Sequence, residues 1–176
     1  LKYSMGDSLQ NKNYLDFVKE LISRGFEIGL HNVGSGNYER NEIVNGLEEY
    51  KQLLGDYPNI HVNHSYNKDN IYCGPKRFSF PFNIIVKNLY SKYSQFEGDI
   101  PTSNFFWGDI HKKIIKYSRN YEIDDINTFK VNPYMPYRDK AYEKYCNYWY
   151  SSTFAPNQWV FNKIVTKKNI DRLESE

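Results

Sequence analysis

The run Phe26-Glu27-Ile28-Gly29-Leu30-His31 decides the fold, because residues 26–30 are typical of a short β-strand that ends at His31, with a helix on either side. Before it, residues 13–24 repeat apolar side chains at helical spacing, with Asn13 as the expected N-cap. After it come the glycine-rich loop Gly34-Ser35-Gly36 and a second helical pattern. In a parallel α/β sheet, the C-terminal ends of the strands form the face that carries chemistry. A histidine that closes such a strand is therefore a candidate functional residue.

The same order of elements repeats further along the chain. The helix predicted at 40–54 carries one apolar stripe, formed by Ile43, Leu47, Tyr50 and Leu54. The stretch Asn59-Ile60-His61-Val62-Asn63-His64 then predicts a strand at 59–63, which also closes on a histidine. Helix, strand, helix and strand with short connections make a βαβ pattern, which favours a parallel sheet with a right-handed crossover. We expect the strands that end at His31 and His64 to be parallel neighbours, with both helices on the outer face.

The rest of the chain is less regular. Residues 65–105 predict an elaborated loop with short helices, which should cover the C-terminal face of the sheet. The motif Trp107-Gly108-Asp109 opens a predicted helix that runs to about Ser118. Further elements are expected beyond it: strands at 127–131 and 148–153, and a last helix capped by Thr166.

Length and chain ends bound the domain organisation. The chain has 176 residues, and we expect residues 1–176 to form a single α/β domain fragment with parallel strands. The chain begins with Leu1 and stops at Glu176 inside a helical pattern, so we expect an internal piece of a longer protein, truncated at both ends.

Composition and charge exclude few classes of protein. The net charge is only +2, and the basic residues are spread along the chain, so nothing calls for nucleic acid. No apolar run approaches the ~20 residues that span a membrane, and no signal peptide is visible. Cys73 and Cys146 share no metal-type spacing, which favours two free thiols and a cytoplasmic location.

Two histidines at strand ends are the candidate metal ligands, His31 and His64. Two imidazoles at neighbouring strand ends can converge on one metal ion or one substrate. A structural histidine held by hydrogen bonds is the competing interpretation at each position. If the two side chains share a ligand, each should also have a hydrogen-bond acceptor on its other ring nitrogen to fix the tautomer.

Polar and aromatic side chains around these histidines are the candidate substrate-binding residues. They share positions in loops at the functional end of the predicted strands, and they are Asn32, Ser35, Asn63, Asn67, Asp69, Asn70, Tyr72, Trp107 and Asp109. A solvated turn is the alternative for the Asn- and Asp-rich loop, and helix capping is the alternative for Asp109. We expect His111, on the same helix as Asp109, to lie at the surface.

The run Gly25-Phe26-Glu27-Ile28-Gly29-Leu30-His31-Asn32 resembles the second motif of the NodB-type polysaccharide deacetylases, in which a "GHEIGxHS/T" strand delivers a metal-binding histidine. The helices on either side match as well, and the resemblance covers about residues 13–60. It implies part of a distorted (β/α) barrel, and a divalent metal, commonly zinc, held by one Asp and two His. It also implies hydrolysis of an N- or O-acetyl group on a sugar of a surface polysaccharide.

The chain departs from that pattern at several motifs. The family's second histidine falls at Ser35, and the motif with the catalytic base and the metal-binding Asp would lie before Leu1. The Arg-containing third motif is replaced by His61 to Ser65, and the last motif would follow Glu176. A ligand set of His31, His64 and an Asp from an earlier strand would restore the three protein ligands of a catalytic zinc site. The catalytic residues themselves stay unassigned.

Two other interpretations remain open. The chain could be a non-catalytic glycan-binding domain on the same fold, in which both strand-end histidines only donate or accept hydrogen bonds. It could also be an unrelated parallel α/β domain that matches the motif by chance. Fold alone does not separate these classes.

Overall fold

The computed structural model describes residues 8–64, 66–77, 80–89, 96–119, 136–150 and 167–168. Four α-helices, three β-strands and two short 3-10 turns make up this part of the chain. In order they are α1 (Lys12–Ser23), α2 (Arg40–Leu54), β1 (Ile60–His61), the turn Gly74–Arg77, α3 (Phe82–Leu89), α4 (Gly108–Ile114), β2 (Tyr117–Arg119), the turn Lys140–Tyr142 and β3 (Tyr148–Tyr150).

Helix α1 confirms the first predicted helix and corrects its cap. The N-cap is Asn11, whose side-chain oxygen accepts hydrogen bonds from the backbone N–H groups of Asn13 and Tyr14. Asn13, the expected cap, therefore lies inside the first turn. The helix ends at Ser23, and Gly25 follows with a φ of 88°, a left-handed conformation that glycine adopts without steric cost.

Helix α2 has the predicted bounds and the predicted apolar stripe. Ile43, Leu47 and Tyr50 are buried on one face, while the side chains of Glu39 and Glu42 form a capping box at the start. The Tyr50 hydroxyl donates to the backbone oxygen of Ile28 at 2.7 Å, so the stripe packs against the segment that precedes His31.

The sheet is parallel, with strand order β1-β2-β3. Leu30 joins the free edge of β1 through a parallel bridge to His61, with its N–H donating to Ile60 O and its oxygen accepting from Val62 N, both at 2.8 Å. The predicted parallel, neighbouring arrangement is confirmed. The paired stretch is shorter than predicted, because only Leu30 of residues 26–30 is bridged and β1 covers only Ile60–His61.

Strand β2 is the largest departure from the predicted elements. We expected the helix after Trp107 to continue to Ser118, but α4 ends at Ile114 and Ile115 turns to extended backbone. Residues Tyr117–Arg119 form the central strand, paired with β1 on one side and β3 on the other. Hydrogen bonds to two neighbours outweigh a helical pattern in so short a stretch.

The remaining predicted elements divide between confirmed and undescribed. Strand β3 confirms the start of the strand predicted at 148–153. The strand predicted at 127–131 and the cap at Thr166 lie outside the described residues. The long loop after His64 does contain short helices, as expected, at Gly74–Arg77 and Phe82–Leu89.

The hydrophobic core brings residues from both halves of the chain together. Its buried members are Leu30, Tyr38, Ile43, Leu47, Tyr50, Ile71, Trp107, Cys146 and Trp149. Cys73 and Cys146 are both free thiols, and burial raises their pKa values to about 11 and about 12. Within the described part of the chain, no helix is both long enough and apolar enough to cross a membrane.

Candidate functional site

The structure brings His31 and His64 together at the C-terminal ends of neighbouring parallel strands. Their ring centroids lie 4.5 Å apart, with the ring planes inclined at 43°. His31 is exposed and His64 is partly buried. Because their strands run parallel and side by side, both chains leave the sheet at the same edge, and the two side chains meet there.

The hydrogen bonds of the two rings leave nitrogen atoms available. His64 Nε2 and Ser35 Oγ are hydrogen-bonded at 3.1 Å, whereas His64 Nδ1 is buried and has no hydrogen-bond partner among the described residues. The His31 ring is hydrogen-bonded to the backbone of Asn63. Burial, and next the neighbouring His64, lowers the pKa of His31, which favours the neutral ring that a metal ion requires.

A cation from the third strand adds to this cluster. Arg119 is the last residue of β2, the strand next to β1, and its charge contributes to the lowered pKa of His31. The strand ends thus place two imidazoles, a hydroxyl and a guanidinium on one edge of the sheet. Those are groups that bind a metal ion or hold an oxygen atom that gains negative charge.

Four of the candidate substrate-binding residues are buried in the protein's own hydrogen-bond network, and their role in substrate binding stays a prediction. They are Asn32, Asn67, Asp69 and Asn70. Asn32 Nδ2 donates to Asp69 Oδ2 at 2.7 Å and to Asn70 Oδ1 at 2.9 Å. Asn32 itself has a φ of 50°, a strained conformation that these bonds hold in place.

The side chains of Asn67 and Asn63 link neighbouring segments through hydrogen bonds to the backbone. Asn67 donates to Gly34 O at 2.8 Å and accepts from Gly36 N at 3.0 Å, which fixes the loop that carries Ser35. Asn63 exchanges two bonds with the backbone of Ile71, at 2.8 and 2.9 Å. The long loop therefore lies against the C-terminal ends of the strands, as expected, but its amides hold backbone rather than project into solvent.

The aromatic candidates also belong to the interior. Trp107 is 1% exposed and donates from Nε1 to Asp69 O at 2.6 Å. Tyr72, half-buried, contacts the rings of Tyr142 and Tyr145. Neither forms the pocket rim that the sequence suggested, because their large apolar surfaces are more stable in the core.

Asp109 is an ion-pair residue rather than a pocket carboxylate. Its two oxygens accept from Arg40 Nη1 and Nη2 at 2.6 and 2.8 Å. The hydrogen bond from Arg40 holds the pKa of Asp109 below its usual value. This fork-to-fork pair links α2 to α4.

A buried histidine pair was missed by the sequence reasoning. We expected His111 at the surface, and that prediction is wrong. Its side chain is 0% exposed, and the neighbouring His61 is 2% exposed. The strand pattern at 59–63 gave no sign that His61 has a partner from α4. The spacing of His111 four residues after Trp107 and four before Ile115 is the signal that marks its buried face.

A cleft of about 610 Å³ opens beside His31 and Asn32. It lies between α1, α2 and the extended segment 28–34, and polar side chains line part of it: Gln10, Tyr14, Glu42, Asn45 and Glu49. Its size is within the range of ligand pockets, and its mixed lining suits a ligand with hydroxyl groups.

The described residues do not form a complete metal site. Across the described ranges, no group of three or more His, Cys, Asp or Glu side chains is placed to hold a metal ion. The unpartnered His64 Nδ1, beside the exposed ring of His31, fits a ligand shared by the two rings.

Comparison with known proteins leaves the family open. No protein-family model matches the chain. Neither the search of curated proteins nor the search of solved structures finds a match.

Proposed function

We propose that the chain is part of a polysaccharide deacetylase-like hydrolase, which uses a divalent metal, most simply zinc, to remove an acyl group from a sugar. In this proposal the parallel strands belong to a partial, distorted (β/α) barrel of the NodB type. The observation that carries the proposal is the contact of His31 with His64 at the strand ends, with His64 Nδ1 buried and unpartnered.

Ser35 supports the proposal, although it stands where the NodB pattern has its second histidine. Its hydroxyl is bonded to His64 Nε2, so a hydrogen on Nε2 leaves the Nδ1 lone pair free to bind a cation. The second imidazole of the pattern would then come from the next strand, and Ser35 would orient it.

The roles of the other groups follow from their positions. When bound, the metal would polarise an acyl oxygen and lower the pKa of a water molecule. His31 and His64 would hold the ion, and a third ligand would come from residues beyond the described ones. Arg119 would attract the charge that develops on the acyl oxygen. The polar side chains of the cleft beside His31 would hydrogen-bond sugar hydroxyls.

The test compares metal content and acetate release in the same preparations of the intact protein. The probes are zinc alone, N-acetylglucosamine oligomers and an O-acetylated xylan. We expect His31→Gln and His64→Gln each to lower acetate release by at least about 100-fold and to lower zinc content in parallel, because each removes a side chain that would bind the metal directly. Lys113→Gln, at an exposed position of α4, is the matched control and should change neither quantity.

Three outcomes discriminate the classes. Loss of both quantities in the two histidine variants supports the hydrolase. Unchanged zinc content and hydrolysis in both variants contradict it. Calorimetric binding of the oligosaccharides without zinc and without acetate release contradicts it as well, and indicates a glycan-binding module.

A further inference from the structure

A second pair of histidines lies beneath the surface pair and has no part in the proposed reaction. His61 of β1 and His111 of α4 are fully buried, with His61 Nδ1 and His111 Nε2 3.2 Å apart and the rings nearly perpendicular at 82°. Their other nitrogens are also engaged. His61 Nε2 lies 2.8 Å from Asn32 Oδ1, and His111 Nδ1 lies 2.7 Å from the carbonyl oxygen of Tyr145.

Counting hydrogens along this chain of contacts gives an unusual result. A carbonyl only accepts, so His111 Nδ1 must carry hydrogen. The Asn32 amide nitrogen donates to Asp69 Oδ2 and Asn70 Oδ1, which turns Asn32 Oδ1 towards His61, so His61 Nε2 must carry hydrogen too. A neutral imidazole has one N–H. Two neutral rings would therefore face each other with two lone pairs 3.2 Å apart.

We propose that this buried network holds one additional proton, shared between His61 Nδ1 and His111 Nε2, with the Asp69 carboxylate as its counter-charge across the Asn32 amide. The proton converts the facing lone pairs into one N–H···N hydrogen bond. Ser118 Oγ lies 3.0 Å from His111 Nε2 and can donate to that nitrogen when it is bare or accept from it when it carries hydrogen.

The extra proton and the ionised Asp69 carboxylate stabilise each other, because burial disfavours either charge alone. Burial lowers the pKa of His61 and brings that of His111 to about 4, while burial raises the pKa of Asp69 to about 6. Each charge alone is thus disfavoured, whereas the pair carries no net charge. The other groups that face the network are His31, Arg119 of β2, Lys112 of α4, Glu42 of α2 and the Cys146 thiol.

The network reaches both strand ends of the candidate site. Asn32 directly follows His31, and Asn70 Oδ1, which accepts from Asn32, also accepts from the backbone N–H of His64 at 3.1 Å. The hydrogen bonds of the Asn32 amide thus join the buried histidine pair to the backbone that positions His31 and His64. His61 and His111 are therefore positioning residues. Whether the pair holds the extra proton does not depend on the proposed hydrolase function.

The first measurement reads the ring nitrogens directly. Long-range ¹H–¹⁵N correlation spectra of the intact protein, with chelator present and at pH 7, assign each imidazole nitrogen as protonated or bare. We expect three of the four nitrogens of His61 and His111 to carry hydrogen, averaged over the shared pair. Two protonated nitrogens, one on each ring, would overturn the proposal.

The second measurement is the pH dependence of unfolding, which needs no residue to be replaced. At about pH 7 to 8 the unfolded chain has ionised Asp69 and mostly neutral histidines, so the native network binds one proton more. In this proposal the Asp69 carboxylate raises the proton affinity of the network above that of the unfolded chain, against the effect of burial on each ring alone. Stability is then lost as the pH rises through the folded pKa. The equilibrium constant for unfolding should rise by up to about tenfold per pH unit.

A matched pair of variants assigns this slope to the network. Asp69→Asn removes the counter-charge and should flatten the slope, whereas Asp56→Asn, at an exposed turn, should keep it. Stability that stays level or increases from pH 7 to 8 in the unmodified protein would contradict the extra proton. So would a slope that Asp69→Asn leaves unchanged.

Discussion

At the scale of single residues, the site depends on which nitrogen of His64 carries hydrogen. Within the described part of the chain, the Ser35 hydroxyl is hydrogen-bonded to His64 Nε2, and the opposite ring nitrogen, Nδ1, is buried without a partner. An oriented imidazole binds a metal ion more tightly, because its tautomer and ring angle need no adjustment on binding. Replacing Ser35 should therefore weaken the proposed site without removing a metal ligand.

Ser35→Ala should lower zinc affinity by about 10- to 100-fold, since it removes the hydrogen bond that orients His64. Ser35→Thr keeps the hydroxyl and should retain most of the affinity. Competition titration with a chromogenic chelator measures both. Equal affinity in the alanine and threonine variants would show that the hydroxyl has no role in orienting the ring.

At the scale of elements, helix α2 anchors the segment that ends at His31. One face of the helix is buried, its first turn has a capping box, and Gly55 ends it with a φ of 97°. Its Tyr50 hydroxyl holds the backbone of Ile28, three residues before His31. The same helix is joined to α4 by the ion pair of Arg40 with Asp109.

Truncating the buried stripe of α2 should be costly. Ile43 is 1% exposed, so Ile43→Ala should lower the free energy of unfolding by about 2–5 kcal/mol, through lost burial and the cavity left behind. Ile84 of α3 is 49% exposed, and Ile84→Ala should cost far less. Urea denaturation monitored by circular dichroism gives both values. Similar losses for the two variants would contradict the packing described for α2.

The ion pair between α2 and α4 should add little to the free energy of unfolding, and only at a pH at which Asp109 is ionised. The two side chains are 39% and 52% exposed, so Asp109→Asn should cost under about 1 kcal/mol at neutral pH. The pKa of Asp109 is lowered in the folded protein, so its contribution is present above the unfolded value of about 3.9 and disappears as the pH falls further. Unfolding measured at about pH 7 and about pH 3 tests this. A larger penalty at the lower pH would reverse the expected sign.

At the scale of the whole molecule, parallel strands bring distant parts of the sequence to one edge. His31, His64 and Arg119 come from three separate segments. His31 follows the bridged residue Leu30, His64 lies three residues after the end of β1, and Arg119 ends β2. This convergence could be predicted for the two histidines, because helix–strand alternation with short connections specifies parallel neighbours. It could not be predicted for Arg119, because the pattern before it is helical and only sheet pairing makes it a strand.

The burial of the polar loop after His64 could not be predicted from the sequence. Asn67, Asp69 and Asn70 have the composition of a solvated turn or a sugar-binding loop, and both were reasonable expectations. In the structure they are buried, because the glycine loop and the strand ends supply a hydrogen-bond partner for each. Gly98 lets the chain approach them, since a Cβ there would lie 2.1 Å from Asp69 O. Such partners depend on contacts far apart in sequence, which local composition does not encode.

The central claim is that His31 and His64 bind one metal ion together. Zinc K-edge X-ray absorption of the zinc-loaded protein counts imidazole ligands and their distances. We expect two imidazoles at about 2.0–2.1 Å, and only one after His64→Gln. A bound zinc without imidazole scattering, or a spectrum that His64→Gln leaves unchanged, would contradict it.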